Sequence, residues 1–138
     1  MLVCPAAPAY LDNMRFAEDN NSTYSIQSVS NDGIVVNGKF INRSVLLSAT
    51  SVQDWPPPGI AELTSDHLAL CLALDPEIVL IGTGRTQVFP PAGTIIGLQE
   101  QGIGVEIMAN PAACRTFNVL LSEERRVVLA LLMDQPPA

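Results

Sequence analysis

Charge is scarce in this sequence. Only 15% of its 138 residues are Asp, Glu, Lys or Arg, against about 25% in an average soluble domain. Positive charge is the scarcer sign: 7 Lys and Arg stand against 14 Asp and Glu, a net charge of −7. A nucleic-acid partner requires a positive surface that displaces counterions, so DNA and RNA are disfavoured. There is one histidine, His67, and the three cysteines, Cys4, Cys71 and Cys114, are widely spaced with no CxxC pair. That is too few ligands for a zinc site, and neither a metal nor a cofactor is expected. An odd cysteine count suits a reducing compartment better than a disulfide framework. No apolar run approaches the roughly 18 residues of a bilayer span. Residues 1–15 carry no basic stretch ahead of an apolar one, so neither membrane insertion nor a signal peptide is expected. A cytoplasmic protein of bacterial origin is the expectation.

Apolar residues, by contrast, make up 48% of the chain, which excludes intrinsic disorder. The length suits one domain. Residues 1–22, with Pro5 and Pro8 and no period, read as an extended lead-in, and 23–138 as a single globular α/β domain. Alternation over 24–30 predicts a strand, Asn31-Asp32-Gly33 a tight turn using positive φ, and 34–36 the return strand. Asn37-Gly38 predicts a second hairpin into 39–41 and then a β-rich 44–50, so the first third reads as an antiparallel meander. Trp55-Pro56-Pro57-Pro58-Gly59 predicts a loop. Thr64 is a natural N-cap for a helix over 65–72. The continuous apolar run Ile78-Val79-Leu80-Ile81 predicts a strand covered on both faces, within 77–82. A helix over 92–101 ending at Gly102, a strand over 104–108, a helix from Asn110-Pro111 to about 123 with Asn110 as its cap, and an apolar strand over 127–133 follow. The order is a meander and then β-α-β-α-β, an α/β domain in which the crossover joins parallel strands.

Two places could carry chemistry. Gly82-Thr83-Gly84-Arg85 leaves the carboxyl end of a buried strand, where α/β sheets hold ligands. Its glycines admit a close backbone approach, and Arg85 could hold a small anion. The plainer alternative is a strand-exit turn, because neither a dinucleotide fingerprint nor a phosphate-loop Lys is there. Cys114 lies early in the next helix beside Arg115, two influences that favour the reactive thiolate. A hydrolase would need His67 to meet it in space, and the plainer alternative is a packing residue. Arg115, Asn118 and Ser122 form that helix's polar stripe. It reads either as solvated surface or as a hydrogen-bonding wall facing Arg85 across a cleft, with Glu106 as an ion-pair partner or acid/base. His67 reads as a satisfied core histidine, Trp55 as a lid over the core or an exposed contact surface, and Arg125-Arg126 as a solvated cluster.

The segments Pro76-Glu77-Ile78-Val79-Leu80-Ile81-Gly82-Thr83-Gly84, Gly102-Ile103-Gly104-Val105-Glu106-Ile107-Met108, Ala113-Cys114-Arg115-Thr116-Phe117-Asn118-Val119-Leu120 and Glu124-Arg125 occur in that order. In this the chain resembles the small domain family that includes the mitochondrial respiratory complex I assembly factor 3 and many uncharacterised bacterial and archaeal proteins. The likeness is tightest over 76–133 and looser over 24–75. It implies a three-layer α/β fold around a mixed sheet and a non-catalytic role in assembly, with no catalytic residues to carry over. Relatives often place Asp-Thr where this chain has Ala109-Asn110, which removes a carboxylate from that loop. The leading expectation is a non-catalytic binding or assembly factor with a protein partner. The alternative is a small-anion binder or thiol enzyme using Gly82, Thr83, Gly84, Arg85, Glu106, Cys114, Arg115 and Asn118. A homo-oligomer is compatible with either.

Overall fold

The last strand sets the architecture. All of Val127–Leu131 is buried, and its residues divide by parity: Val127, Leu129 and Leu131 enter one core, Val128 and Ala130 another. A strand apolar on both faces belongs inside a sheet covered on both sides. The computed structural model describes residues 23–133, so the lead-in expected over 1–22 lies outside the described residues. In chain order the strands are β1 (Ile26–Val29), β2 (Ile34–Val36), β3 (Lys39–Ile41), β4 (Val45–Leu47), β5 (Val52–Asp54), β6 (Ile78–Gly82), β7 (Gly104–Met108) and β8 (Val127–Leu131). The helices are α1 (Ser65–Ala69), α2 (Ile96–Glu100) and α3 (Asn110–Ser122). A central sheet runs β5-β4-β8-β6-β7, and a small antiparallel sheet runs β1-β2-β3. The central sheet is mixed: β6 pairs parallel with both β7 and β8, and β4 pairs antiparallel with β8 and β5.

Three layers result. Ala113, Cys114 and Phe117 of α3 pack with Ile26, Ile34 and Ile41 of the small sheet on one face. Leu68 next to α1's end, Cys71, Leu98 of α2 and Trp55 pack on the other. The α/β class, the mixed sheet and the closing β-α-β-α-β order agree with the sequence reading.

Several local expectations change. The meander does not extend through 44–50, because Val45, Leu46 and Leu47 are all fully buried and such a strand needs cover on both faces. β4 therefore leaves the small sheet and pairs with β8, Val45 opposite Leu131. Its hairpin mate β5 carries exposed Gln53 and Asp54 at the sheet edge and gives no apolar signal. The turn at Asn37-Gly38 does use positive φ, 49° and 84°. Gly33 does not; it is glycine because a Cβ there would strike the Ile41 carbonyl and the Phe40 ring. The helix expected over 65–72 is α-helical only to Ala69 and tightens into a 3-10 turn over Leu70–Leu74. The helix expected over 92–101 begins only at Ile96, because Gly93 at φ 84° turns the chain first. Gly102, at φ 79°, closes it as expected.

Candidate functional site

From β6 the chain passes through α2 to β7 on one side, then through α3 to β8 on the other. α2 and α3 pack on opposite faces of the sheet. The carboxyl ends of β6 and β8 are thus where successive connections diverge, the place where open α/β sheets open a ligand crevice. Here a side chain of the protein occupies it. Asn110 Oδ1 accepts from the Gly84 N–H at 3.0 Å, and its Nδ2 donates to the Leu132 carbonyl at 2.8 Å. Because one partner is a donor and the other an acceptor, the amide has only one orientation that satisfies both. Its own N–H donates to the Gly84 carbonyl at 2.8 Å. The two strand ends are stitched together through the first residue of α3.

This corrects the capping expectation. The N-cap is Ala109, with no side-chain cap, and Asn110 is the first helical residue, its side chain turned back to the sheet and buried. Gly82 makes the space: a Cβ there would lie 2.5 Å from Asn110 Oδ1 and 2.6 Å from Leu131 Cδ1. Gly84 has φ 108°, a conformation that favours glycine. The Thr83 hydroxyl is also engaged by the backbone, donating to the Thr86 carbonyl at 2.6 Å and accepting from the Val88 N–H at 3.1 Å. What remains is a notch of about 10 Å³ bordered by Gly84, Arg85, Asn110 and Pro111, with Ser30, Asn31 and Met133 opposite. That is room for about one water molecule.

Of the residues expected in the cleft, only Gly84 and Arg85 line this notch. Asn118 serves the fold: it accepts from the Ile26 N–H at 3.0 Å and donates to the Ile26 carbonyl at 2.7 Å, clamping β1 to α3 as a neighbouring strand would. Glu106 and Arg115 are exposed. Ion pairs among the described residues join Arg43 to Asp54, Arg125 to Glu77 and Arg126 to Asp75, and none of them uses Glu106 or Arg115. Arg125 and Arg126 thus tie the end of α3 to the start of β6. The Arg126 backbone N–H and the Arg125 guanidinium together hold the Glu77 carboxyl below its ordinary range. Trp55 is buried, its indole N–H donating to the His67 carbonyl at 3.0 Å, so it is core and not an exposed contact. His67 and Thr64 form a reciprocal capping box at the start of α1.

Cys114 is 2% exposed. Arg115 favours its thiolate, as the sequence suggested, but burial outweighs it and pushes the thiol up to about 12. Cys71, fully buried on the other face, is pushed up to about 12 by burial as well. Burial thus favours the protonated thiol over the reactive thiolate at both positions. The raised values have a thermodynamic sign. Unfolded thiols ionise near 9.0 and folded ones near 12, so the folded state keeps its protons longer. The thiols' contribution to stability is complete below 9.0 and is lost as pH rises toward 12, on the order of 1 kcal/mol per pH unit for each thiol. Urea midpoints taken at about pH 8 and about pH 10 should show this drop, and a Cys71→Ala, Cys114→Ala double variant should flatten it.

The role of Asn110 escaped the sequence reading, because Asn-Pro at a strand-to-helix junction carries a stronger capping signal than any hint of a contact 22 or 26 residues away.

The chain is 40% identical over 100 residues to the "13 kDa major membrane protein" of Francisella tularensis subsp. holarctica, covering 67% of this chain and 81% of that one. It is 37% identical over 114 residues to the NADH dehydrogenase [ubiquinone] 1 alpha subcomplex assembly factor 3 of Bos taurus, covering 80% of this chain and 61% of the bovine protein. A crystal structure of a Bordetella parapertussis protein superposes with a TM-score of 0.78 at 33% identity, over 84% of this chain and 100% of that one. Among the described residues no helix is long and apolar enough to cross a membrane. A family described as protein of unknown function (DUF498/DUF598) matches residues 26–132, and the chain belongs to that family.

Proposed function

We propose that this protein is a non-catalytic assembly-type factor that works by holding a protein partner. The observation that carries the reading is the engagement of its reactive-looking side chains by the fold itself. Asn110 and Asn118 have their amides closed on backbone groups, and Cys114 is a buried, protonated thiol. Those residues hold layers together and are not available to a substrate. The bovine relative's name, an assembly factor, supports the same reading. So do the apolar side chains left at the surface: Phe89 is 71% exposed, and Val88 and Ile96 accompany it along the loop into α2. Arg85, Glu106 and Arg115 then serve as exposed polar contacts around such a partner, not as a catalytic set. A cytoplasmic, bacterial setting belongs to this proposal: the free, buried Cys71 and Cys114 suit a reducing compartment, and the Francisella and Bordetella proteins it resembles are bacterial.

A photo-reactive phenylalanine analogue in place of Phe89, expressed in the native cell, tests it. The expected result is one discrete cross-linked protein, missing when the same analogue replaces exposed Ser28 in the small sheet. Equal or no cross-linking at the two positions would overturn the reading.

A further inference from the structure

The layer on the far side of the sheet has a shape and a sign that the site above does not use. α1 and α2 lie side by side and leave a groove of about 230 Å³ between them. Its floor is apolar: Leu68 and Leu98 are buried, and Leu72 is partly buried. Its rim is low, because Ala69 stands on one wall and Gly97 on the other, and the space where a Gly97 Cβ would project is open. Ile96 on α2 and Leu70, just after α1, are 50% and 43% exposed on the elements that form the walls. Asp66 lines the groove. Glu62 and Glu100, on the same layer, are exposed like Asp66. No ion pair among the described residues engages any of these three carboxylates. No cation is near in sequence to balance them: Arg85 is the only Lys or Arg between Arg43 and Arg115.

We infer that this groove docks a cationic amphipathic helix from the protein partner. The inference rests on the assembly-factor reading and adds the surface and the chemistry of what it holds. A helix fits because a narrow apolar floor with small residues on the rim accepts an i, i+3, i+4 apolar stripe, and a strand would need a free sheet edge instead. Its polar face carries Lys or Arg because Asp66 lines the groove and, among the described residues, no Lys or Arg does. An anionic membrane surface is repelled by the same carboxylates.

The probe is a synthetic amphipathic helix of Leu and Lys, about 18 residues or five turns long. Two controls accompany it: a Leu and Glu counterpart, and a scrambled Leu and Lys sequence with no apolar stripe. Binding is followed by amide shifts of the labelled chain and by emission of Trp55, the single tryptophan, whose indole is bonded to α1. The Leu and Lys helix should bind saturably, moving amides of 60–74 and 94–101, with affinity falling as salt rises. The two controls should bind at least about tenfold more weakly. Gly97→Leu fills the groove with a better helix former, so the fold is kept while binding falls at least about tenfold. Equal binding of all three peptides, shifts centred elsewhere, or an unaffected Gly97→Leu would overturn the inference. If cross-linking at Phe89 succeeds while these fail, the groove assignment falls and the assembly reading stands. If the Phe89 cross-link itself is missing, the reading beneath the inference falls.

Discussion

Asn110→Ala should lower the free energy of unfolding by about 2–5 kcal/mol. The substitution removes two buried hydrogen bonds and strands their partners, the Gly84 N–H and the Leu132 carbonyl, in a notch with room for about one water. Each orphaned buried group costs about 1–3 kcal/mol, more than the net value of a hydrogen bond with both partners solvated. Helix propensity works the other way, since alanine is the better helix former by a few tenths of a kcal/mol, and does not offset the loss. Asn110→Asp is the sharper control. It keeps the acceptor for Gly84 but sets a carboxylate oxygen against the Leu132 carbonyl, and should be destabilised as well. Urea unfolding with linear extrapolation reads both variants. A loss below about 1 kcal/mol for Asn110→Ala would mean that the amide does not hold the strand ends together.

Gly82→Ala should cost about 1–3 kcal/mol, an overpacking penalty. A single methyl at Gly82 would stand 2.5 Å from Asn110 Oδ1 and 2.6 Å from Leu131 Cδ1. Leu131 can yield by changing rotamer, but Asn110 cannot move without breaking both bonds. The two substitutions should therefore be non-additive. In the Asn110→Ala background the methyl meets one obstacle fewer, and the double variant should be more stable than the sum of single effects by about 0.5–3 kcal/mol. Strict additivity would show that Gly82 and Asn110 do not share this space.

The fold was far more legible than the site, for reasons visible in particular residues. Ile78–Gly82 and Val127–Leu131 lie in the middle of the central sheet, and a continuous apolar run was enough to mark both as strands, the first as covered on both faces. Gly102 and the Thr64 N-cap are local signals, complete within a few residues, whereas the return bond from His67 that completes the capping box was not signalled. β5 was hidden because an edge strand with Gln53 and Asp54 outward has no apolar alternation to display. The 3-10 turn over Leu70–Leu74 was hidden because its apolar spacing resembles that of a buried α-helix.

The site depends on long-range pairings that no local pattern encodes. Asn118 meets Ile26 across 92 residues of sequence and Asn110 meets Gly84 across 26. Polar residues on one helix look alike in sequence whether they face solvent, a substrate or a backbone. For Cys114 the sequence identified one influence that acts, the neighbouring Arg115, but not its size relative to burial, which only packing against Phe117 and the small sheet decides.

The chain's own Asn110 closes the crevice at the ends of β6 and β8. An amide-resolved NMR titration of the folded chain with inorganic phosphate tests it most directly. The account predicts that the Gly84 backbone amide and the Asn110 side-chain amide keep their positions as phosphate rises. A saturable displacement of both, lost in Arg85→Gln, would contradict the account and restore the anion-binding cleft.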